Sequence, residues 1–495
     1  MTPYRTVVSR VRSVVGLFKQ QGTHHKRYLS NTGSPFQDDL TDFDMDEFGL
    51  GDFRHYKESP EVAEYKRNQI KSVLQDEEVS KRQSDSSSQL EPLESVATTN
   101  VPAIFISKLT DPYLNLAIED YVYNKIPISK SFPFKAHRLM FYTNSPCVVI
   151  GKNQNPWKEV NLPTMNSQFG IPLIRRRSGG GTVVHDLGNV NYSFMTTKQE
   201  FDRFKFVQLI VDVINGAKIS STKIKVNHRG DIVTTQDKDG DSGGATSGAA
   251  STAQELKISG SAYKLSRGKS YHHGTMLLNS DLDRLKQVLH RDVTQLGVVD
   301  TSKTIDSVRA KVTNLQIPQQ SFIELVSSGF KFEYGISDEA GTTTVETPNC
   351  NDTQSNEDDF DEINELMKLG DFAHAAKLAN VFQINDSIAL PKEVISIANE
   401  LKSWEWKYGR TPLFTHTFES ESLNICVKFT VDKGVIETVE FVRDGDSQDN
   451  IELLHEMSEK LHGVQYRGDT IEKALRGDEF SRKLGSWLHS SIDGV

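Results

Sequence analysis

The chain has 495 residues, a formal net charge of −10 and three cysteines, Cys147, Cys350 and Cys426. That length allows more than one domain, the negative charge argues against nucleic acid as the main partner, and an odd cysteine count suits a reducing compartment better than a disulfide framework. No apolar run approaches the roughly 20 residues that cross a bilayer, so no membrane span is predicted.

Residues 1–37 contain no Asp or Glu but carry Arg5, Arg10, Arg12, Lys19, Lys26 and Arg27. Val8, Val11, Val15 and Phe18 recur at helical spacing, with Arg5, Arg12 and Lys19 a heptad apart on another face. This acid-poor, amphipathic, Arg-rich pattern predicts a mitochondrial transit peptide, cleaved near Arg27 to Ser30, and a matrix location. The charge then reverses, with six acids among residues 38–47. Residues 38–100 are expected to be an acidic, polar and mostly disordered segment, with one helix near 60–75.

The most chemically loaded stretch is RRRSGGGTVVHDLGN, residues 175–189. Three consecutive glycines lose much conformational entropy on folding, so they belong where backbone approaches a ligand closely or takes positive φ angles. Arg175 and Arg176 supply charge beside that bare backbone, and guanidinium groups and turn amides both bind phosphate. The order is not GxxxxGK[ST], and the glycines lead into Thr182, Val183 and Val184, which favour a strand rather than a helix. A strand-turn-strand phosphate site without a helix dipole is expected, and it needs a second cation. A plain β-hairpin with solvated arginines is the other reading of this segment.

Residues 236–254, QDKDGDSGGATSGAASTAQ, contain only Ala as an apolar type and should form a long flexible hairpin loop. Beyond it, Lys257, Ile258 and Ser259 alternate as a short strand, Gly260, Ser261 and Ala262 are small, and Tyr271 to Leu278 is a second strand. A lysine on a rigid strand facing a pocket can stabilise developing negative charge without moving. His272 and His273 point to opposite faces of a strand and do not make a metal site. His185 with Asp186 is expected to stabilise its loop, and Cys147, on an apolar strand, to be a buried core residue. The acidic stretch from about 337 to 362 belongs to a linker, residues 331–384. Leu423 to Thr430 and Val435 to Val442 form a hairpin ahead of a terminal helical stretch.

These segments together resemble the lipoate-protein ligase A family, of the mitochondrial fungal type, within the biotin/lipoate ligase fold. DPYLNLAIEDYV (111–122), CVVIGKNQNPWKEVN (147–161), RRRSGGGTVVHDLGN, NHRGDIV (227–233), KISGSAY, HHGTMLLNSDL (272–282) and DSVRAKVTNL (306–315) are similar to its blocks, in order. WEWKYGRTPLF (404–414) resembles the start of its small C-terminal accessory domain. The resemblance implies an α+β fold: a mixed β-sheet with flanking helices over 101–330 and a small α/β accessory domain over 385–495.

It also implies ATP-dependent activation of lipoate to lipoyl-AMP, then transfer of the lipoyl group to a lysine of a lipoyl-domain protein. Lys257 would be the catalytic cation. Arg176, Lys257 and the backbone of Gly181, Thr182, Val183 and Val184 would hold ATP, and Lys257, Arg176, Gly179 and Gly180 would meet the lipoate. Asp231 would contact nucleotide or Mg2+. Implied acceptors are the acyltransferases of 2-oxoacid dehydrogenases and the glycine-cleavage H protein. A lipoyl or octanoyl transferase taking the acyl group from acyl-CoA or another lipoylated protein shares these motifs, and octanoate could stand in place of lipoate. A non-catalytic binder is disfavoured by the intact Arg176, glycines and Lys257, and a biotin ligase by the RRxSGGG form of the signature.

Overall fold

Asp111 accepts hydrogen bonds from the amides of Tyr113 and Leu114, and Pro112 occupies the first helical turn, so a helix starts there. That helix, Pro112–Lys125, lies against one face of an eight-stranded sheet. The computed structural model describes residues 92–128, 134–236, 254–336, 378–442 and 448–495, all within one compact unit.

The strands run β1 (Ala103–Ser107), β2 (Arg138–Tyr142), β3 (Cys147–Ile150), β4 (Leu173–Arg175), β5 (Val183–His185), β6 (Asn189–Thr197), β7 (Ile224–Val226), β8 (Ile232–Gln236), β9 (Gln254–Ser266), β10 (Lys269–Leu277), β11 (Val298–Asp300), β12 (Asn380–Ile384), β13 (Phe414–Ser420), β14 (Ile425–Asp432) and β15 (Val435–Val442). The large sheet has the order β12-β1-β2-β6-β10-β9-β8-β7, with β1 parallel to both β12 and β2 and the remaining pairs antiparallel. The fold is α+β, a mixed sheet with flanking helices and a separate C-terminal sheet, β11-β13-β14-β15.

Helices Lys205–Ala217 and Gln319–Tyr334 cover the other face of the large sheet, burying Phe206, Ile210, Phe322 and Phe330 there. A third sheet, β4-β3-β5, divides two cores. Because strand side chains alternate, Cys147 and Val149 face the core around the Pro112–Lys125 helix, while Val148 and Ile150 face the C-terminal core of Phe414, Phe429 and Tyr466.

The expected boundaries shift in four places. Residues Pro92–Ala97, within the span expected to be disordered, form a helix with Leu93 and Ala97 fully buried. The segment assigned to the linker ends in β12, which completes the large sheet beside β1. Helix Lys392–Lys402, assigned to the accessory domain, packs in the core of the Pro112–Lys125 helix through Val394, Ala398 and Leu401. β11, inside the expected catalytic span, pairs instead with β13 of the C-terminal sheet. The two strand exchanges share one cause: sheet edges are filled by non-local segments whose pairing no local pattern announces. The segment 1–37, the helix near 60–75, residues 237–253 and the stretch 337–362 lie outside the described residues.

Candidate active site

β3 pairs parallel with β4 and antiparallel with β5, so residues 176–182 cross the end of β3 instead of closing a hairpin. Gly151 stands at that crossing: a Cβ there would lie 2.1 Å from the carbonyl oxygen of Gly180. Gly180 has φ +85°, the left-handed region that favours glycine. The loop folds around its own arginine. Arg176 is buried and donates to the carbonyls of Gly179 (2.6 Å) and Gly181 (2.8 Å) and to Ser178 Oγ (2.9 Å). Burial lowers its pKa to about 10, so it stays charged near neutral pH.

Arg175 does not supply charge to this loop, contrary to expectation. Its side chain leaves the other face of β4 and is fully buried, donating to the carbonyls of Lys152, Gln154, Trp406 and Lys407 and to Thr411 Oγ1. Side chains alternate along an extended strand, so neighbouring arginines had to diverge. Arg177 pairs with Asp120 at 3.0 Å and with Glu400, and lies over the Trp406 ring.

Lys257 lies on β9 where the pairing with β8 slips: Ile232 faces Ser259 but Val233 faces Lys257, leaving Ile258 as an extra residue. Such a bulge re-aims a side chain. The Lys257 amide donates to the Lys311 carbonyl at 2.8 Å, and its own carbonyl accepts from Thr313 at 2.9 Å, so backbone holds it on both sides. Nζ reaches Asp231 Oδ1 at 2.9 Å. Both side chains are partly accessible, which leaves the ammonium available to a ligand.

Polar groups that sequence reasoning missed tie the loop to its surroundings. Ser307 Oγ accepts from the Thr182 amide at 2.8 Å and from Gln154 Nε2 at 2.9 Å, while Gln154 Oε1 accepts from the Gly151 amide at 2.8 Å. The Ser307 amide donates to Glu159, whose pKa is raised by burial. On the opposite side, His273 links Ser178 Oγ (2.7 Å) to Glu119 (3.0 Å). Two carboxylates on the buried side of an apolar helix, Glu119 and Asp120, were the sequence signal for such partners. His185 and Asp186 do not pair with each other: His185 Nδ1 meets Asn144 Nδ2 at 3.0 Å, and Asp186 accepts from the amides of Gly188 and Asp281. The Asp186 contacts stabilise the loop, as expected.

A cavity of about 280 Å3 opens between these groups. Arg176, Gly180, Gly181, Thr182, Val183, Asp231 and Lys257 line it. The structure does not bring Gly179 or Val184 to the cavity wall: Gly179 contributes its carbonyl to Arg176, and Val184 turns into the C-terminal core. The Thr182 amide, expected to meet phosphate, is capped by Ser307. Cys147 is buried, as expected, and burial raises its pKa far above the thiol range. Among the described residues no three His, Cys, Asp or Glu side chains gather as a metal cage, and Asp231 is engaged by Lys257. The described side chains therefore build no all-protein magnesium cage, which a magnesium ion carried by nucleotide phosphates does not require. Nor is any described helix long and apolar enough to cross a membrane.

Fold and site together define a lipoyl-ligase type of catalytic domain: residues 111–330 match the family model "Lipoyl protein ligase A/B catalytic domain". A Schizosaccharomyces pombe protein named "Putative lipoate-protein ligase A" is 34% identical over 393 residues, covering 79% of this chain and 93% of the relative. A Saccharomyces cerevisiae protein of the same name is 34% identical over 346 residues, covering 70% and 68% respectively. The chain belongs to the lipoate-protein ligase A family of ligases. Among solved structures, P. falciparum LipL1 in complex with lipoate is 21% identical, covers 78% of this chain and 99% of that one, and has a TM-score of 0.41. A lipoate-protein ligase A bound with ATP is 18% identical, covers 62% and 98%, and has a TM-score of 0.36.

Proposed function

We propose that the protein activates lipoate with ATP and transfers the lipoyl group to a lysine of lipoyl-domain proteins. The observation that carries this reading is Lys257, clamped by backbone on both sides and held 2.9 Å from Asp231 on the wall of the glycine-loop cavity. In the first step a lipoate carboxylate oxygen attacks the α-phosphorus of ATP, the bond to the β-phosphate oxygen breaks, and pyrophosphate leaves. Negative charge gathers on the oxygens between carboxylate and α-phosphate, where a preorganised ammonium is worth most. In the second step the acceptor amine attacks the lipoyl carbonyl, the carbonyl–phosphate bond breaks, AMP leaves, and the amine loses its proton as the amide forms. Lys257 serves both steps because the reacting oxygens stay in one place. Arg176 acts on this chemistry by holding the loop carbonyls inward. Magnesium enters the proposal only as the counterion that ATP brings with it, and no step is routed through it.

A transferase using an acyl-enzyme thioester is disfavoured by Cys147, whose thiol is fully buried in β3 and held neutral. The acceptors are proposed to be the lipoyl domains of 2-oxoacid dehydrogenases and the H protein. The acid-poor segment 1–37 supports a mitochondrial location, testable by fusing it to a reporter. Purified protein given lipoate, ATP and magnesium should release pyrophosphate and accumulate lipoyl-AMP before any acceptor is added. Absence of the adenylate, with efficient transfer from octanoyl-CoA, would overturn the proposal in favour of a CoA-dependent transferase.

A further inference from the structure

Part of the cavity lining is not used by the chemistry above. There the turn between β7 and β8 meets the segment that leads into helix Lys205–Ala217: Arg203 donates to the Arg229 carbonyl at 2.7 Å and passes over Gly230. Arg203, Arg229, Ser261, Tyr263 and His272 are among the residues that line the cavity. His272 is 2% exposed, and neither of its ring nitrogens has a hydrogen-bond partner among the described residues. Its pKa is lowered to about 3, first by burial and then by the neighbouring His273 and Arg203, so it is a neutral ring able to donate once and accept once. A buried polar ring left unpartnered on a cavity wall is a costly arrangement that a ligand would relieve.

The charge here is strongly one-sided. Lys257, Arg203 and Arg229 line the cavity against Asp231, which Lys257 already engages. Asp202, the other nearby carboxylate, is taken up by the amides of Phe204 (2.7 Å) and Lys205 (3.2 Å). A cationic acceptor lysine is repelled by such a surface, and the carboxylate of an acyl substrate is already placed at Lys257. Guanidinium groups instead match the paired oxygens of phosphates.

We propose that Arg203, Arg229 and His272 form a diphosphate subsite that receives the β- and γ-phosphates of ATP and holds the pyrophosphate as it leaves. The identity of the ligand rests on the ATP-dependent reading, because the diphosphate of an acyl-CoA has the same chemistry. Inorganic pyrophosphate, titrated calorimetrically into the full-length protein, is the direct probe. Arg203→Gln should weaken its binding about tenfold or more while lipoate affinity stays unchanged. His272→Phe should also weaken pyrophosphate binding, yet melt above the wild type, since it removes two unpartnered nitrogens from the interior; a merely structural histidine would not show this opposition. Thermal melting of Arg203→Gln confirms that it is folded, and His272→Phe keeps the test decisive if it is not.

Pyrophosphate affinity unchanged in both variants, or no pyrophosphate binding by the wild type, overturns the subsite. If the wild type forms lipoyl-AMP and both variants still bind pyrophosphate normally, the subsite fails while the ligase reading stands. If the wild type forms no adenylate but Arg203→Gln weakens both pyrophosphate and octanoyl-CoA binding, the subsite stands and its diphosphate comes from CoA.

Discussion

Replacing Arg175 with methionine tests whether the first arginine of the signature is a strut and not a ligand contact. Its guanidinium donates to the Lys152 (2.8 Å), Gln154 (2.7 Å), Lys407 (2.7 Å) and Trp406 (3.1 Å) carbonyls and to Thr411 Oγ1 (2.8 Å). Bonds from a charged donor are worth about 1.5–3 kcal/mol each, they do not add fully, and burial of the cation itself opposes several kcal/mol of that gain. Methionine fills much of the space but leaves these acceptors without a donor, so a net loss of about 3–5 kcal/mol is expected. The urea midpoint should fall by that loss divided by the slope of the transition. For a chain of this size the slope exceeds the small-protein range of about 1–3 kcal/mol per M, so a drop on the order of 1 M is expected. Arg177→Met is the control: Arg177 is partly exposed and Asp120 keeps a second partner in Lys264 at 3.4 Å, so roughly 1–2 kcal/mol is expected. Equal losses in the two variants would refute the reasoning, because burial and saturation of the guanidinium would then have carried no weight.

Lys257→Ala should lower adenylate formation by about 10² to 10³ while leaving the melting temperature close to wild type, and near-normal turnover by a folded variant would remove Lys257 from the chemistry. Gly151→Ala forces a Cβ against the Gly180 carbonyl, which must shift; lipoyl-AMP formation should fall, and unaltered kinetics would show that the loop tolerates displacement. Replacing residues 238–252 with Asn-Gly should preserve stability and adenylation, since β8 and β9 pair up to Gln236 and Gln254; loss of adenylation alone would give that segment a catalytic part. His185, His272 and His416 each have a pKa lowered to about 3 by burial. Their unfolded forms take up protons below about 6.5 while the folded forms do not, so each removes about 1.4 kcal/mol of stability by pH 5.5. Asp493, raised to about 6 by burial, works in the opposite direction and returns less than about 1 kcal/mol over that range. Melting temperature should therefore fall between pH 7 and 5.5, and a flat profile would show that these rings are accessible to protons.

The chemistry-bearing blocks were legible because local rules govern them. Three glycines beside arginines foretell a loop that backbone must cross closely, and KISGSAY followed by a second apolar run foretells the β9–β10 hairpin. Gly151 and Gly180 show the close approach directly, and Lys257 lines the cavity. What stayed hidden depends on partners far along the chain. Arg175 looks like its neighbour until residues 406–411 arrive to claim it. The Ser307 cap on Thr182 joins positions 125 residues apart, and Glu119 meets His273 across 154. β12 could not be foreseen as a strand of the large sheet, because parallel pairing with β1 carries no turn signal.

That parallel pairing also orders events during synthesis. β1 lies near the start of the described chain, yet its outer edge is closed only by Asn380–Ile384, and the Arg175 guanidinium finds its last acceptor at Thr411. A nascent chain that has just delivered the whole 111–330 match from the ribosome still presents an open row of β1 amides and carbonyls, together with an arginine that lacks its Trp406, Lys407 and Thr411 acceptors. The unfinished sheet is then exposed to other chains for as long as it takes to make about fifty more residues, at roughly 5–20 residues per second. Truncation at the end of the family match should yield an aggregating fragment, whereas a chain continued past Thr411 can close both the edge and the charge.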